Sequence, residues 1–154
     1  MMMIILIIGL IIIDIVSKML IKGFLNKESI VIIKNFFSIT YVKNTGAAWS
    51  MFNDKPVFLI IISGIIIIGI IYYIWKNKPR DKWEKLLYSL VIAGAMGNFI
   101  NRLFFGYVID FIDIDIFGYD YPIFNIADIY VVLGILGLII YTWKVDKNGY
   151  RSIK

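Results

Sequence analysis

The sequence predicts an all-α integral membrane protein with four transmembrane helices, and three observations lead there. The 154-residue chain is 60% hydrophobic with a mean hydropathy of +0.83, and it carries 36 isoleucines. A soluble domain of this length has too little interior to hide that much apolar surface, so lipid must solvate much of it. Four stretches reach the roughly 20 apolar residues that a helix needs to cross hydrocarbon. Lysine and arginine are distributed unevenly between these stretches, as in chains oriented by the positive-inside rule. The length corresponds to one membrane-embedded domain, residues 1–154.

The first predicted span, residues 1–21, differs from a cleaved signal peptide. It has no basic leading region and no small-x-small cleavage site, and Asp14 and Lys18 stand where the apolar region should close. A retained helix is expected. Residues 22–56 are too long for a turn. Residues 29–33 and 36–43 are rich in β-branched and aromatic types around Lys34-Asn35, which predicts a small hairpin lying over the outer ends of the helices. Asn44-Thr45-Gly46-Ala47-Ala48 breaks that pattern with small residues. The second and third spans are residues 57–75 and 86–105. Between the third and fourth, Phe111-Ile112-Asp113-Ile114-Asp115-Ile116-Phe117 alternates, as a short strand with one wet face would. The fourth span is residues 123–143.

Lys76, Lys78, Arg80, Lys82 and Lys85 crowd the second connection, and Lys144, Lys147, Arg151 and Lys154 follow the last span. Lys22, Lys27, Lys34, Lys43 and Lys55 are spread over the longer first connection, and residues 103–122 carry acids but no lysine or arginine. Both termini and the second connection are therefore expected in the cytoplasm, with the β-rich first connection and the third connection on the outer face. The net charge of +5 is explained by this topology; no nucleic-acid module accompanies it.

Cysteine and histidine are both absent. That excludes disulfides, thiolate nucleophiles, Ser-His-Asp chemistry and the usual zinc sites. An enzyme would have to work with Asp, Glu, Lys, Ser, Tyr or a borrowed cofactor. Asp110, in Tyr107-Val108-Ile109-Asp110-Phe111, and Asp128, in Phe124-Asn125-Ile126-Ala127-Asp128, stand at the margins of adjacent spans, where an ionised acid is costly. Asp14, Ser17 and Lys18 share one face of the first span, and Gly94, Gly97, Asn98 and Asn101 form a stripe on the third, beside Arg102. With alternating helix directions, Lys18, Asn98, Asn101, Arg102, Asn125, Asp128 and Asp110 come to one outer level.

Plainer readings exist for each. Asp14–Lys18 can be a structural ion pair, Ser17 a backbone-bonded helix serine, and Gly94 and Gly97 packing positions. Asp113 and Asp115 can be a solvated face, although with Asp110 they faintly resemble a magnesium cluster, as in a metal-dependent lipid transferase. Asp110 and Asp128 can be helix caps or ion-pair members. A binding or channel-forming protein using the polar stripe as an oligomer interface is a non-enzymatic alternative.

Five segments taken in order resemble the lipoprotein signal peptidase (signal peptidase II) family. They are Asp14-x-x-Ser17-Lys18, Asn44-Thr45-Gly46-Ala47-Ala48-Trp49-Ser50, Gly94-Ala95-Met96-Gly97-Asn98-Phe99-Ile100-Asn101-Arg102, Val108-Ile109-Asp110-Phe111 and Phe124-Asn125-Ile126-Ala127-Asp128. The resemblance implies a bacterial intramembrane aspartic endopeptidase, multi-pass in the cytoplasmic membrane, with its active site toward the outer face. Such an enzyme removes the signal peptide from a prolipoprotein, cutting just before the diacylglyceryl-modified cysteine. It further implies that Asp110 and Asp128 are catalytic, that Asn44, Asn98, Arg102 and Asn125 surround them, and that Asp14 and Lys18 support them. No metal and no cofactor are expected; the partners are lipid-modified substrates and membrane lipid, and the protein is expected to act as a monomer. The chain departs from the family pattern at Asn101, where Asp usually precedes the arginine, and at Ala93-Gly94, where Gly-Gly is usual.

Overall fold

A computed structural model describes residues 2–25, 29–47, 51–116 and 118–147. Met1, Lys27, the Ala48-Trp49-Ser50 end of the small-residue segment, Phe117, Arg151 and Lys154 lie outside the described residues. The element order is α1 (Met2–Phe24), β1 (Ile30–Ile33), β2 (Phe37–Asn44), α2 (Pro56–Asn77), α3 (Lys82–Phe105), β3 (Val108–Ile116), β4 (Tyr119–Asp120) and α4 (Ile126–Lys147). All four helices are long and apolar enough to cross a membrane.

The helix limits follow local chemistry. Pro56 starts α2 at a position where its missing N–H costs nothing. Asp81 caps α3 by accepting from the backbone N–H groups of Trp83 and Glu84, and Glu84 returns a bond from the Arg80 N–H. Gly106 closes α3 in the left-handed region at φ 75°, its N–H donating to the Arg102 carbonyl. At α4 the departure from the expected start has a tertiary cause. The helix begins at Ile126 because Phe124 is held as a strand partner of β3, which moves Asn125 out of the helix and onto its cap.

Helix α3 is the centre of the bundle, touching α1, α2 and α4. Its buried face is Ser89, Val91, Ile92, Ala93, Gly94, Gly97 and Asn101. A Cβ on Gly94 would strike the Ala127 carbonyl and Val131 of α4; one on Gly134 of α4 would strike Val91 and the Leu87 carbonyl of α3. Small residues on both helices thus allow the backbones to approach, the main route to tight packing where lipid removes the hydrophobic drive. Helix α1 is arranged the opposite way to a soluble helix. Its buried residues are Asp14 and Lys18, while Ile4, Ile5, Ile8, Ile12 and Val16 are exposed to the surroundings of the bundle.

The expected hairpin is present as β1 and β2, and the expected alternating segment is β3. The two connections also join into one antiparallel sheet of order β1-β2-β3-β4. The sequence predicts a hairpin in the first connection alone; the long β2–β3 pairing shows that the sheet is shared. Asn44 pairs with Val108, Lys43 with Ile109 and Val42 with Asp110. A bulge at β2 then restores register with Ile39 opposite Ile112. Because the sheet follows α1 and α3 and precedes α2 and α4, it covers one end of an up-down-up-down bundle. The start of α1, the end of α4 and the α2–α3 connection lie at the other.

Candidate active site

Asp110 and Asp128 meet beneath this sheet. Asp110 comes from β3 and is 3% exposed. Asp128 comes from the first turn of α4. They are brought together by backbone bonds at Phe124: its carbonyl accepts from the Phe111 and Ile112 N–H groups (3.0 and 2.8 Å), and its own N–H donates to the Ile112 carbonyl (3.1 Å). The next residue, Asn125, is therefore delivered against Asp110.

Asn125 and Asp128 form a reciprocal cap on α4. The Asn125 Oδ1 accepts from the Asp128 N–H, and the Asp128 Oδ2 accepts from the Asn125 N–H, both at 3.1 Å. The same Asn125 side chain, fully buried, points its Nδ2 at Asp110 Oδ1 (2.6 Å) and at Asn98 Oδ1 (3.2 Å). Asn98 in turn donates to Asp128 Oδ1 at 2.7 Å, and Asn44 donates to Asp110 Oδ2 at 2.7 Å. Every oxygen of the two carboxylates accepts a hydrogen bond from an amide, three of them from asparagine side chains. Asparagine suits this role because it donates without carrying a charge that would neutralise the acids.

Burial and the neighbouring Asp128 charge push the Asp110 carboxyl up to about 6, against the opposing pull of Asn44, Asn125 and Lys18. Repulsion between two carboxylates in one poorly hydrated site disfavours the ionised form of Asp110, so it keeps its proton to higher pH than a free aspartate does.

The supporting residues take more specific positions than their spacing revealed. Lys18 Nζ bonds Asp14 Oδ2 (2.8 Å) and Asn98 Oδ1 (2.9 Å), linking α1 to α3. The other Asp14 oxygen accepts from the Ala127 N–H of α4 at 3.1 Å. Asp14 is thus both a buried ion-pair member and a second cap on α4, where the helix dipole favours negative charge. Ser17 donates to the Asp14 carbonyl, as its backbone-bonded reading anticipated. Arg102 bonds neither aspartate. Its Nη2 donates to the Gly46 carbonyl at 2.8 Å, while the Gly46 N–H donates to Asn44 Oδ1 at 2.9 Å, so the arginine holds the loop that carries Asn44. Gly46 has no room for a Cβ against Met51 and Asn53, a demand hinted at only by the run of small residues. Asn101 is buried and accepts from the Ile109 N–H at 3.3 Å, bracing the strand beside Asp110. An amide oxygen suffices for that bond, which accounts for the tolerance of Asn at this position.

Asp113 and Asp115 do not join the site. Odd spacing places them on the opposite face of β3 from Asp110. Asp113 accepts from Thr40, and Asp115 from the Gly118 N–H. The magnesium-cluster alternative therefore lacks a convergent set of ligands.

The chain is similar to known proteins over nearly its whole length. The family model described as Signal peptidase (SPase) II matches residues 6–144. A lipoprotein signal peptidase of Clostridium tetani is 43% identical over 152 residues, covering 98% of this chain and 96% of the relative. One from Staphylococcus aureus is 43% identical over 121 residues, covering 79% of this chain and 74% of the relative. A solved structure of a bacterial membrane enzyme superposes with a TM-score of 0.86 at 39% identity, covering 96% of this chain and 90% of that one. With four membrane-length helices and a match through nearly its whole length, the chain belongs to the signal peptidase II family of membrane proteases.

Proposed function

We propose that this protein is an aspartic endopeptidase of the bacterial cytoplasmic membrane that releases the signal peptide from diacylglyceryl-modified prolipoproteins. It cuts just before the lipidated cysteine, with Asp110 and Asp128 as the catalytic pair. The observation that carries this reading is the convergence of the two acids from different elements into one amide-lined hydrogen-bond network. No histidine or cysteine exists in the chain to offer thiolate or histidine-based chemistry.

Asp110, whose carboxyl is pushed up to about 6, holds the shared proton. Asp128, at the positive end of α4, is the base. A water between them attacks the scissile carbonyl carbon, giving one proton to Asp128, while Asp110 donates to the carbonyl oxygen. The tetrahedral gem-diol then collapses: its C–N bond breaks, the amine nitrogen takes the proton from Asp128, and a gem-diol hydroxyl returns one to Asp110. Asn98, Asn125 and Asn44 keep both carboxyl planes aligned through the cycle. Asp14, Lys18 and Arg102 act one layer out, on Asn98, on α4 and on the Asn44 loop. No step requires a metal or cofactor.

The lysine-rich α2–α3 connection and both termini are assigned to the cytoplasm, and the sheet and the dyad to the outer face. The acyl chains of the substrate stay in lipid while its extended backbone reaches the dyad beneath the sheet. A monomer contains every group named. Asp110→Asn and Asp128→Asn are each expected to lower cleavage of a purified diacylglyceryl precursor by about 10³-fold or more, with chelator having no effect on the wild type. Folded single variants that cleave like wild type would eliminate the dyad. Equal cleavage of the unlipidated precursor would eliminate the substrate assignment.

A further inference from the structure

Outside the catalytic network, a row of cationic and aromatic side chains crosses the bundle end that carries the sheet. Lys22, in the last turn of α1, places Nζ 4.8 Å from the ring centroid of Phe105, the last residue of α3. Phe105 lies 6.0 Å from Tyr107, and Lys43 of β2 places Nζ 5.1 Å from the Tyr107 centroid. Tyr41 of β2 neighbours Tyr107 as well. Three elements therefore contribute to one strip: the end of α1, the end of α3 and the second strand. Both lysines are exposed. Among the described residues the one ion pair is Lys18–Asp14, so neither ammonium is neutralised by a carboxylate there.

We propose that this strip binds the phosphodiester headgroup of an anionic phospholipid. Its level in the membrane is set by the ends of two spans, which is headgroup depth. Seating each ammonium on a ring orients it and leaves its N–H donors directed outward. The exposed apolar surfaces of α1 and α3 directly below, including Met19, Leu20, Leu103 and Phe104, accommodate the acyl chains that a free phosphate lacks. Two cations flanking one aromatic strip favour an anionic lipid over a zwitterionic one, whose own ammonium competes for the phosphate.

Native mass spectrometry of the purified full chain tests this by titration with phosphatidylglycerol, phosphatidylcholine and glycerophosphate. Phosphatidylglycerol is expected to bind tightest. Lys22→Gln and Lys43→Gln should each weaken it by about fivefold, and the double variant by about 25-fold. The double Lys→Arg variant should retain binding. Both lysines are exposed and outside the proposed catalytic network, so cleavage of a standard precursor and thermal stability verify that the Gln variants are folded. Unchanged phosphatidylglycerol affinity in the folded double Gln variant overturns the proposal. So does equal loss of phosphatidylcholine, which would indicate an acyl-chain contact alone, or glycerophosphate binding as tightly as the lipid, which would indicate a soluble phosphate site.

Discussion

Asn125 illustrates how much one side chain can organise. Its backbone N–H and Oδ1 complete the cap with Asp128, and its Nδ2 reaches Asp110, so a single residue sets the relative placement of both acids. Asn44 acts on Asp110 alone, and its bond stabilises the ionised form. This yields a signed expectation. In the proposed mechanism the active dyad carries one proton, which is lost as pH rises, so kcat/KM should fall as pH climbs through about 6. Asn44→Ala removes a bond that favours the anion, so its basic limb should move to higher pH, with kcat/KM down about tenfold. A pH–rate series on wild type and variant checks both; a limb that stays in place or moves downward would contradict the assigned role of Asn44.

At the scale of elements, the α3–α4 contact depends on glycines on both helices. Gly94→Ala drives a methyl into the Ala127 carbonyl, and Gly97→Ala drives one toward the Asp14 carboxylate. Each should destabilise by about 1–3 kcal/mol, the usual cost of overpacking. Gly69→Ala in α2, with nothing nearby to meet, should be neutral or slightly stabilising because alanine is the better helix former. Thermal unfolding in detergent separates these outcomes, and a Gly69 variant as damaged as the Gly94 variant would refute the packing account. The displacement also threatens chemistry, since Asp14 caps the same turn of α4 that carries Asp128.

For the whole molecule, the bundle places the start of α1, the end of α4 and the α2–α3 connection opposite the sheet. The chain has no cysteine, which provides a clean background for labelling. With a membrane-impermeant maleimide on intact cells, Ser29→Cys should label readily and Asn77→Cys only after permeabilisation. The reverse pattern would invert the proposed orientation and separate the dyad from substrates outside the cell.

Much of this was legible from composition and order. Four spans, a hairpin in the first connection and an alternating strand in the third follow from apolar run length and side-chain periodicity, which are local properties of the chain. Absence of histidine and cysteine excluded thiolate and histidine-based chemistry, and alternating helix direction was sufficient to bring the polar residues to one level. Partner choice was not legible, because hydrogen bonds between distant segments depend on register and on which backbone groups helix and sheet leave over. Arg102 turned out to hold the Gly46 carbonyl, Asp14 the Ala127 N–H, and Asn101 the Ile109 N–H. The start of α4 moved for the same reason: Phe124 has an adequate apolar helix pattern, but β3 offers its backbone a strand partner. Hydrophobic pattern thus determines which segments enter lipid, whereas the folded bundle determines which buried polar atoms find each other, since in a low-dielectric interior each must be satisfied by whatever group the packing brings within reach.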